Sequence, residues 1–254
     1  MTAPDLPAHL RRTMLTAEGA AQVIWHNAEL LPDPAPEFFE PDWHRANGSW
    51  RGSAQGRGQT HFLKFGGGEL VLRRYARGGL IGRLVAGSYL RLGAPASRSF
   101  REFRLLDWLH RQGLAVPRPA AARYAPSGLA YRADLVTERI PDAVPLAEVL
   151  TAAPLPEDVW AGVGAAVRRM HALGVDHVDL NCRNILLDRG SRVWLIDFDK
   201  CRRRRPGGWS KGNLARLQRS LASEAARVSR LFWTDGDWSA LLDGYRRAGL
   251  SDAA

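Results

Sequence analysis

Residues 177–188 read HVDLNCRNILLD and place a histidine, two aspartates, two asparagines and an arginine around the start of an apolar run. A tight turn, RGSR, then leads into VWLIDFD, residues 193–199. Two short apolar runs joined by a tight turn predict an antiparallel hairpin. Its open end sets Asn184, which starts one strand, beside Asp197, which ends the other. An amide oxygen and a carboxylate meeting there suit a hard cation; Mg²⁺ is usually held by one or two such ligands together with phosphate oxygens and water. Asp179 then stands at the rim, where a carboxylate can take the proton of an attacking hydroxyl. The bland alternative is a polar turn before a surface hairpin.

The elements that must position these groups change character along the chain. Residues 1–45 show no clear period; they predict irregular structure with one strand near residues 20–25. From Gly48 a glycine-rich stretch, GSWRGSAQGRGQT, leads into THFLKF and LVLRRY, two predicted strands joined by GGGE. Phe100, Phe103, Leu106 and Leu109 recur at helical spacing, with Ser97 or Ser99 as N-cap and Gly113 as stop. PAAARYA and RADLVTERI predict two more strands. After Ile140, PDAVPLAEVL and EDVWAGVGAAVRRMHALG read as helices, followed by the hairpin and two closing helices, WSKGNLARLQRSLASEAAR and WSALLDGYRRAG. The reading is an α+β chain, sheet-rich over residues 1–139 and helical over 140–254, with the boundary near Glu138–Pro145.

Bulk properties narrow the function classes. The 254 residues suffice for a substantial core, and 45% apolar content excludes disorder. Lys plus Arg exceed Asp plus Glu by 36 to 26, nearly all of it arginine. Such a balance points to a polyanionic partner or to the base composition of a genome. Cys182 and Cys201 are the only cysteines, which excludes a disulfide framework and a zinc spacing and suggests a reducing compartment. The N-terminus has no signal-peptide pattern, and no run approaches the length of a spanning helix.

HVDLNCRN followed by IDFD resembles the protein-kinase pattern H-x-D-L-x-x-x-N followed by D-F-G. Three departures stand out. Asn181 occupies a position where many protein kinases have Lys, Asp199 replaces the glycine, and KCRRRRPGGW follows in place of a protein-docking activation segment. With LVLRRYARGGLIG, SRSFREFRLLDWLHRQGLAVPRP and RADLVTERI, the pattern resembles the 3-deoxy-D-manno-octulosonic acid (Kdo) kinases of Gram-negative bacteria, members of the lipopolysaccharide kinase family. The resemblance covers roughly residues 48–225. It implies a protein-kinase-like two-lobed fold: a β-rich N-lobe with one main helix and a compact helical C-lobe. It implies ATP with Mg²⁺, transfer to the 4-hydroxyl of Kdo on the lipid A precursor, and a peripheral position on the cytoplasmic face of the inner membrane. No specific nucleic acid or protein partner is implied.

Further roles follow from the resemblance, residue by residue. Gly52, Gly56 and Gly58 could cover phosphates, or form a plain hairpin turn. Arg73 would fill the strand-three lysine role, with Lys64 as its rival and Arg74 facing solvent. Glu102 would be its carboxylate partner, unless it pairs locally on its own helix. Backbone groups from Glu138 to Ile140 would hold adenine. His177 is structural, His171 a cap or core residue, and Cys182 and Cys201 packing residues. Arg77, Arg83 and Arg202–Arg205 would meet a charged lipid-linked acceptor or form solvated runs, and GGLIGRLVAGSYL would rest on the membrane or in the core. The competing readings are a kinase for a core heptose or a small molecule, and a basic pseudokinase or nucleic-acid-binding module.

Overall fold

Strands β1 (Leu10–Ala17), β2 (Ala20–Asn27), β3 (Trp50–Gln55), β4 (Gln59–Phe65), β5 (Gly68–Tyr75), β6 (Pro119–Ser127) and β7 (Ala130–Glu138) pair into one antiparallel sheet, in the order β1-β2-β6-β7-β5-β4-β3. The computed structural model describes residues 6–17, 20–55, 59–75, 97–127 and 130–251. The chain divides into two units, one drawn from Met1–Asp107 with Arg118–Arg139 and the other from Trp108–Pro117 with Ile140–Ala254.

The sheet belongs to the first unit. Period-2 alternation sends Leu70 and Leu72 of β5 into a core with Ile24, Phe38, Phe39, Leu63 and Val136. Short helix α1 (Pro41–Ala46) follows the turn that carries Phe38 and Phe39. Helix α2 (Arg98–Arg111) buries all four predicted positions, Phe100, Phe103, Leu106 and Leu109. Phe100 stacks on Trp25 of β2 with ring centroids 4.5 Å apart.

The N-terminal region corrects the expectation of irregular structure. It forms a full hairpin, Leu10 opposite Asn27 through Ala17 opposite Ala20. β1 escapes a pattern search because it is an edge strand; Arg11, Arg12 and Met14 are exposed, so no apolar alternation marks it. β2 is the strand expected near residues 20–25, and Val23 to His26 within it are buried without a break.

Arg74 is a second correction. It shares the parity of Leu70 and Leu72 and lies inside, not in solvent. Its Nε donates to Asp134 at 3.0 Å, and its Nη2 donates to the Phe39 carbonyl at 2.8 Å and to Glu40 at 3.0 Å. Arg123, 2% exposed, joins the same carboxylates: Nε reaches Asp134 at 2.8 Å and Nη2 reaches Glu40 at 2.9 Å. Burial alone would raise the Glu40 carboxyl, but the hydrogen bonds from Arg74 and Arg123 outweigh it and hold the group below its ordinary range.

The second unit is built on helices α3 (Leu146–Ala152), α4 (Glu157–Ala172), α5 (Trp209–Ala225) and α6 (Asp235–Ser251). α4 and α6 meet backbone to backbone. A Cβ on Gly244 would lie 2.0 Å from the Ala161 carbonyl oxygen, and one on Gly164 would lie 1.9 Å from that of Leu241. Strands β8 (Val144–Pro145), β10 (Ile185–Leu187) and β11 (Val193–Leu195) form a small antiparallel sheet. β9 (Val175–Asp176) and β12 (Arg202–Arg203) form a two-stranded ribbon. The whole is an α+β fold, as expected for a protein-kinase-like chain.

Asp134 is fully buried between two guanidinium groups. Asp134→Ala is expected to cost about 3–5 kcal/mol, because it leaves buried cations without their shared carboxylate. Arg132 touches Glu40 only at the exposed rim of this network, at 3.3 Å. Its replacement by Ala should cost less than about 1 kcal/mol. Urea unfolding of the two variants measures the contrast; equal losses would mean the network does not hold the sheet.

Candidate active site

Hairpin β10–β11 puts Ile185 opposite Leu195, and the Ile196 amide donates to the Asn184 carbonyl at 3.0 Å. Asn184 and the segment ending in Asp197 are thus adjacent, as the hairpin geometry predicts. Asp188 ties the far end. Its Oδ1 accepts the amides of Gly190 and Arg192, each at 3.0 Å, and its Oδ2 accepts the Trp194 indole N–H at 2.9 Å. The Trp194 bond is the main reason the Asp188 carboxyl sits below its usual range.

Asp197 lies at φ 65°, a left-handed conformation that Asp adopts more readily than most residues. His177 holds the segment on either side of it. Its Nε2–H donates to the Ile196 carbonyl at 3.0 Å, and its ring packs on Phe198 with centroids 4.9 Å apart. Burial pushes the His177 pKa down, so the ring is neutral and acts as a fixed donor. Cys201 Sγ lies 3.9 Å from the Asp197 carbonyl.

The loop before the hairpin is organised by its own amides. Asn181 Oδ1 accepts the N–H groups of Arg183 (2.9 Å) and Asn184 (3.2 Å), while its Nδ2 donates to the Asp179 carbonyl at 2.9 Å. Asn184 Nδ2 donates to the same carbonyl at 3.0 Å. With its amide nitrogen engaged, Asn184 keeps Oδ1 as an acceptor, the atom a hard cation would take. Among the described residues no group of three or more His, Cys, Asp or Glu is placed to hold a metal. An Asn–Asp pair completed by phosphate oxygens and water is an all-oxygen donor set that fits a hard cation such as Mg²⁺. The Asp179 carboxylate is half exposed, with Arg216 Nη1 at 3.8 Å from its Oδ1.

Helix α5 supplies residues that the sequence reading missed. Asn213 Oδ1 accepts the His177 amide at 3.0 Å and faces His171 Nε2 at 3.2 Å; its Nδ2 donates to Asp176 at 3.0 Å. Ser220 Oγ accepts the Cys182 amide at 3.0 Å. Glu224, buried, takes Arg183 bidentately at 3.0 and 2.7 Å. Positions 213, 216, 217, 220 and 224 share one helical face, and that face follows the loop residue by residue. A stripe of buried polar groups would have been the signal, but these residue types look like a solvated surface.

In the first unit, Arg73 lies on the opposite side of β5 from Arg74. It pairs with Glu102, which is 2% exposed, and donates to the Tyr75 hydroxyl at 2.7 Å. Tyr75 in turn donates to Glu102. Burial, then the Glu102 charge, raises the Tyr75 pKa well above its ordinary value, so the phenol stays a donor. Lys64 is exposed, opposite Glu69 in the neighbouring strand register. Gly52 sits at a bulge in β3 with φ 141°. Gly56, Gly58, Arg77, Arg83 and the stretch GGLIGRLVAGSYL lie outside the described residues. Glu138 closes β7, its amide donating to the Arg118 carbonyl at 2.8 Å, and Ile140 follows in the second unit.

Arg202 to Arg205 are all exposed, and three of them have partners. Arg202 and Arg203 form β12, opposite Asp176 and Val175. Arg203 lies over the Trp108 ring at 4.1 Å, and Arg204 donates to the buried Asp176 carboxylate at 2.9 Å. Arg205 is exposed. Cys182 is buried, which raises its thiol pKa and suits packing.

His171 carries a pH dependence. Burial lowers its pKa to about 4, and Tyr245 Oη and Asn213 satisfy its neutral ring. Unfolding returns it to about 6.5, so the unfolded chain binds the extra proton between these values. Its contribution is complete above about pH 6.5 and disappears as pH falls towards 4, on the order of 3 kcal/mol. Denaturant unfolding between pH 7 and 4.5 should show that decline, and His171→Gln should flatten it. The same slope in the variant would contradict the assignment.

The sequence pattern of the lipopolysaccharide kinase (Kdo/WaaP) family matches residues 41–245. A 3-deoxy-D-manno-octulosonic acid kinase of Vibrio parahaemolyticus is 44% identical over 222 residues, covering 87% of this chain and 93% of the relative. The enzyme of the same name in Vibrio cholerae is 42% identical, covering 84% and 90%. That of Haemophilus influenzae is 39% identical, covering 89% and 97%. Matched over most of its length by the family pattern and by relatives well above 30% identity, the chain belongs to the lipopolysaccharide kinase (Kdo/WaaP) family.

Proposed function

We propose that this protein is an ATP-dependent kinase that phosphorylates the Kdo sugar of the lipid A precursor, at the 4-hydroxyl, in lipopolysaccharide core assembly. The observation that carries the reading is the arrangement of Asp179, Asn184 and Asp197. The Asn184 carbonyl accepts the Ile196 amide beside Asp197, and its side chain donates to the Asp179 backbone, which orders two carboxylates and a carboxamide on one short loop and hairpin. The relatives named for Kdo phosphorylation agree with it.

Phosphoryl transfer asks a protein mainly to position reactants and offset charge. Asn184 Oδ1 and the Asp197 carboxylate are the groups that would hold Mg²⁺. The ion they would hold would supply positive charge to offset that of the phosphate oxygens. Asp179 receives the proton of the attacking hydroxyl. Arg73, oriented by Glu102 and Tyr75, binds phosphate; a guanidinium stays charged at any working pH and can do so bidentately. Backbone groups of Glu138 and Ile140 bind adenine, and Gly56 and Gly58, outside the described residues, are the glycines the sequence offers for the phosphates.

A peripheral position on an anionic membrane surface fits the net charge of +10. Among the described residues no helix is long and apolar enough to cross a membrane.

The test is transfer of the ATP γ-phosphate to Kdo–lipid A precursor, compared with a heptosylated acceptor, using purified protein. Asp179→Asn should lower kcat by roughly 10²–10⁴ with the KM for ATP little changed. Asp197→Asn should raise the KM for Mg²⁺–ATP. Near-normal turnover by Asp179→Asn would remove it as the base, and preference for the heptosylated acceptor would move the activity to another core sugar.

A further inference from the structure

The carboxylate of Asp179 has a cation beside it that comes from outside its own loop. Within residues 177–184, both places that could supply one are spent. Asn181 turns its amide inward onto the loop backbone. Arg183 is drawn away onto the buried Glu224 by two hydrogen bonds. Arg216, on α5, stands in their place, 3.8 Å from Asp179 Oδ1.

That contact is too long to be a hydrogen bond, and both side chains are about half exposed, at 49% and 50%. As a surface ion pair it would contribute little to stability. Its position is what distinguishes it. On the same face of α5, Asn213, Ser220 and Glu224 are each committed to the loop by hydrogen bonds of 3.2 Å or less. Arg216 is held over the base by the same helix, yet among the described residues no hydrogen bond occupies its fork of donors. A planar guanidinium in that state is arranged for a bidentate oxyanion.

We propose that Arg216 binds an anionic oxygen of the reactants beside Asp179 during transfer. This rests on the reading of Asp179 as the base. In that step the acceptor hydroxyl oxygen bonds to the γ-phosphorus. The bond from that phosphorus to the β–γ bridging oxygen breaks, ADP leaves with its electron pair, and the hydroxyl proton passes to Asp179. Two oxyanions come close to the base in this reaction: the transferring phosphoryl group and the carboxylate of the acidic sugar. Either presents the oxygen geometry that Arg216 fits.

The experiment measures Arg216→Ala and Arg216→Lys in the full chain, with ATP and Kdo–lipid A precursor, and also measures slow ATP hydrolysis without acceptor. Arg216→Ala should lose about 10²-fold in kcat/KM, with Arg216→Lys recovering part of it and the thermal midpoints unchanged. A fall in kcat shared by acceptor-free hydrolysis assigns the phosphoryl group. A rise in acceptor KM with hydrolysis unchanged assigns the sugar carboxylate. Rates and KM values of Arg216→Ala within about threefold of the parent overturn the proposal; if that variant is unstable, the same criterion applied to Arg216→Lys decides. Asp179→Asn is run alongside. An active Asp179→Asn refutes the base reading itself, whereas an inactive one with a normal Arg216→Ala refutes only the role of Arg216.

Discussion

One buried carboxamide, Asn213, ties the loop of residues 177–184 to the body of the second unit. It accepts the His177 amide, meets His171 and donates to Asp176. A buried backbone N–H without a partner costs of order 1–3 kcal/mol, so the start of the loop is fixed by this group and not by surface turns. Everything downstream inherits the placement. His177, set by Asn213, pins Ile196 and Phe198 and thereby frames Asp197. Asp176, set by the same amide, gathers Arg204 and so places the ribbon after the hairpin. The remaining polar positions on that face of α5, Ser220 and Glu224, carry the docking to the end of the loop.

The two units solve the same problem with different chemistry. In the second, neutral amides and a neutral histidine do most of the positioning, and they bury cheaply when satisfied. In the first, full charges are buried on both faces of β5. Arg74 and Arg123 close on Asp134 and Glu40 on one face, and Arg73 closes on Glu102 and Tyr75 on the other. Adjacent residues of one strand point to opposite faces, so Arg73 and Arg74 cannot exchange roles. The two side chains are about equally exposed, at 25% and 22%, so what separates them is their partners.

The parts of the site legible in the sequence were those set by local geometry. A tight turn between two short apolar runs is enough to bring Asn184 next to the Asp197 segment. The parity of VLRR is enough to separate Arg73 from Arg74, but not to tell which face is buried, because α1 and its preceding turn supply Glu40 from far upstream. The long-range docking was not legible. Asn213, Arg216, Ser220 and Glu224 are residue types usually found in solvent, and only contact with a loop some 35 residues earlier gives them work. β1 was hidden because an edge strand with arginines outward lacks a period. The partners of the arginine run were not legible either: composition says charge, whereas pairing with Asp176 and Trp108 depends on tertiary contacts.

Asn181 shows how a departure from a motif changes which residue places a cation beside Asp179. A lysine at this position projects charge from the loop. An asparagine instead spends donor and acceptor on the loop's own backbone, which rigidifies the turn carrying Asp179. Arg183 cannot compensate while the buried Glu224 holds its fork. With Asn181 and Arg183 both committed elsewhere, the cation beside Asp179 comes from α5, which runs alongside the loop. Arg216 lies three residues beyond Asn213 on that helix, near enough in register that the anchoring of the loop and the placement of the cation are one structural event.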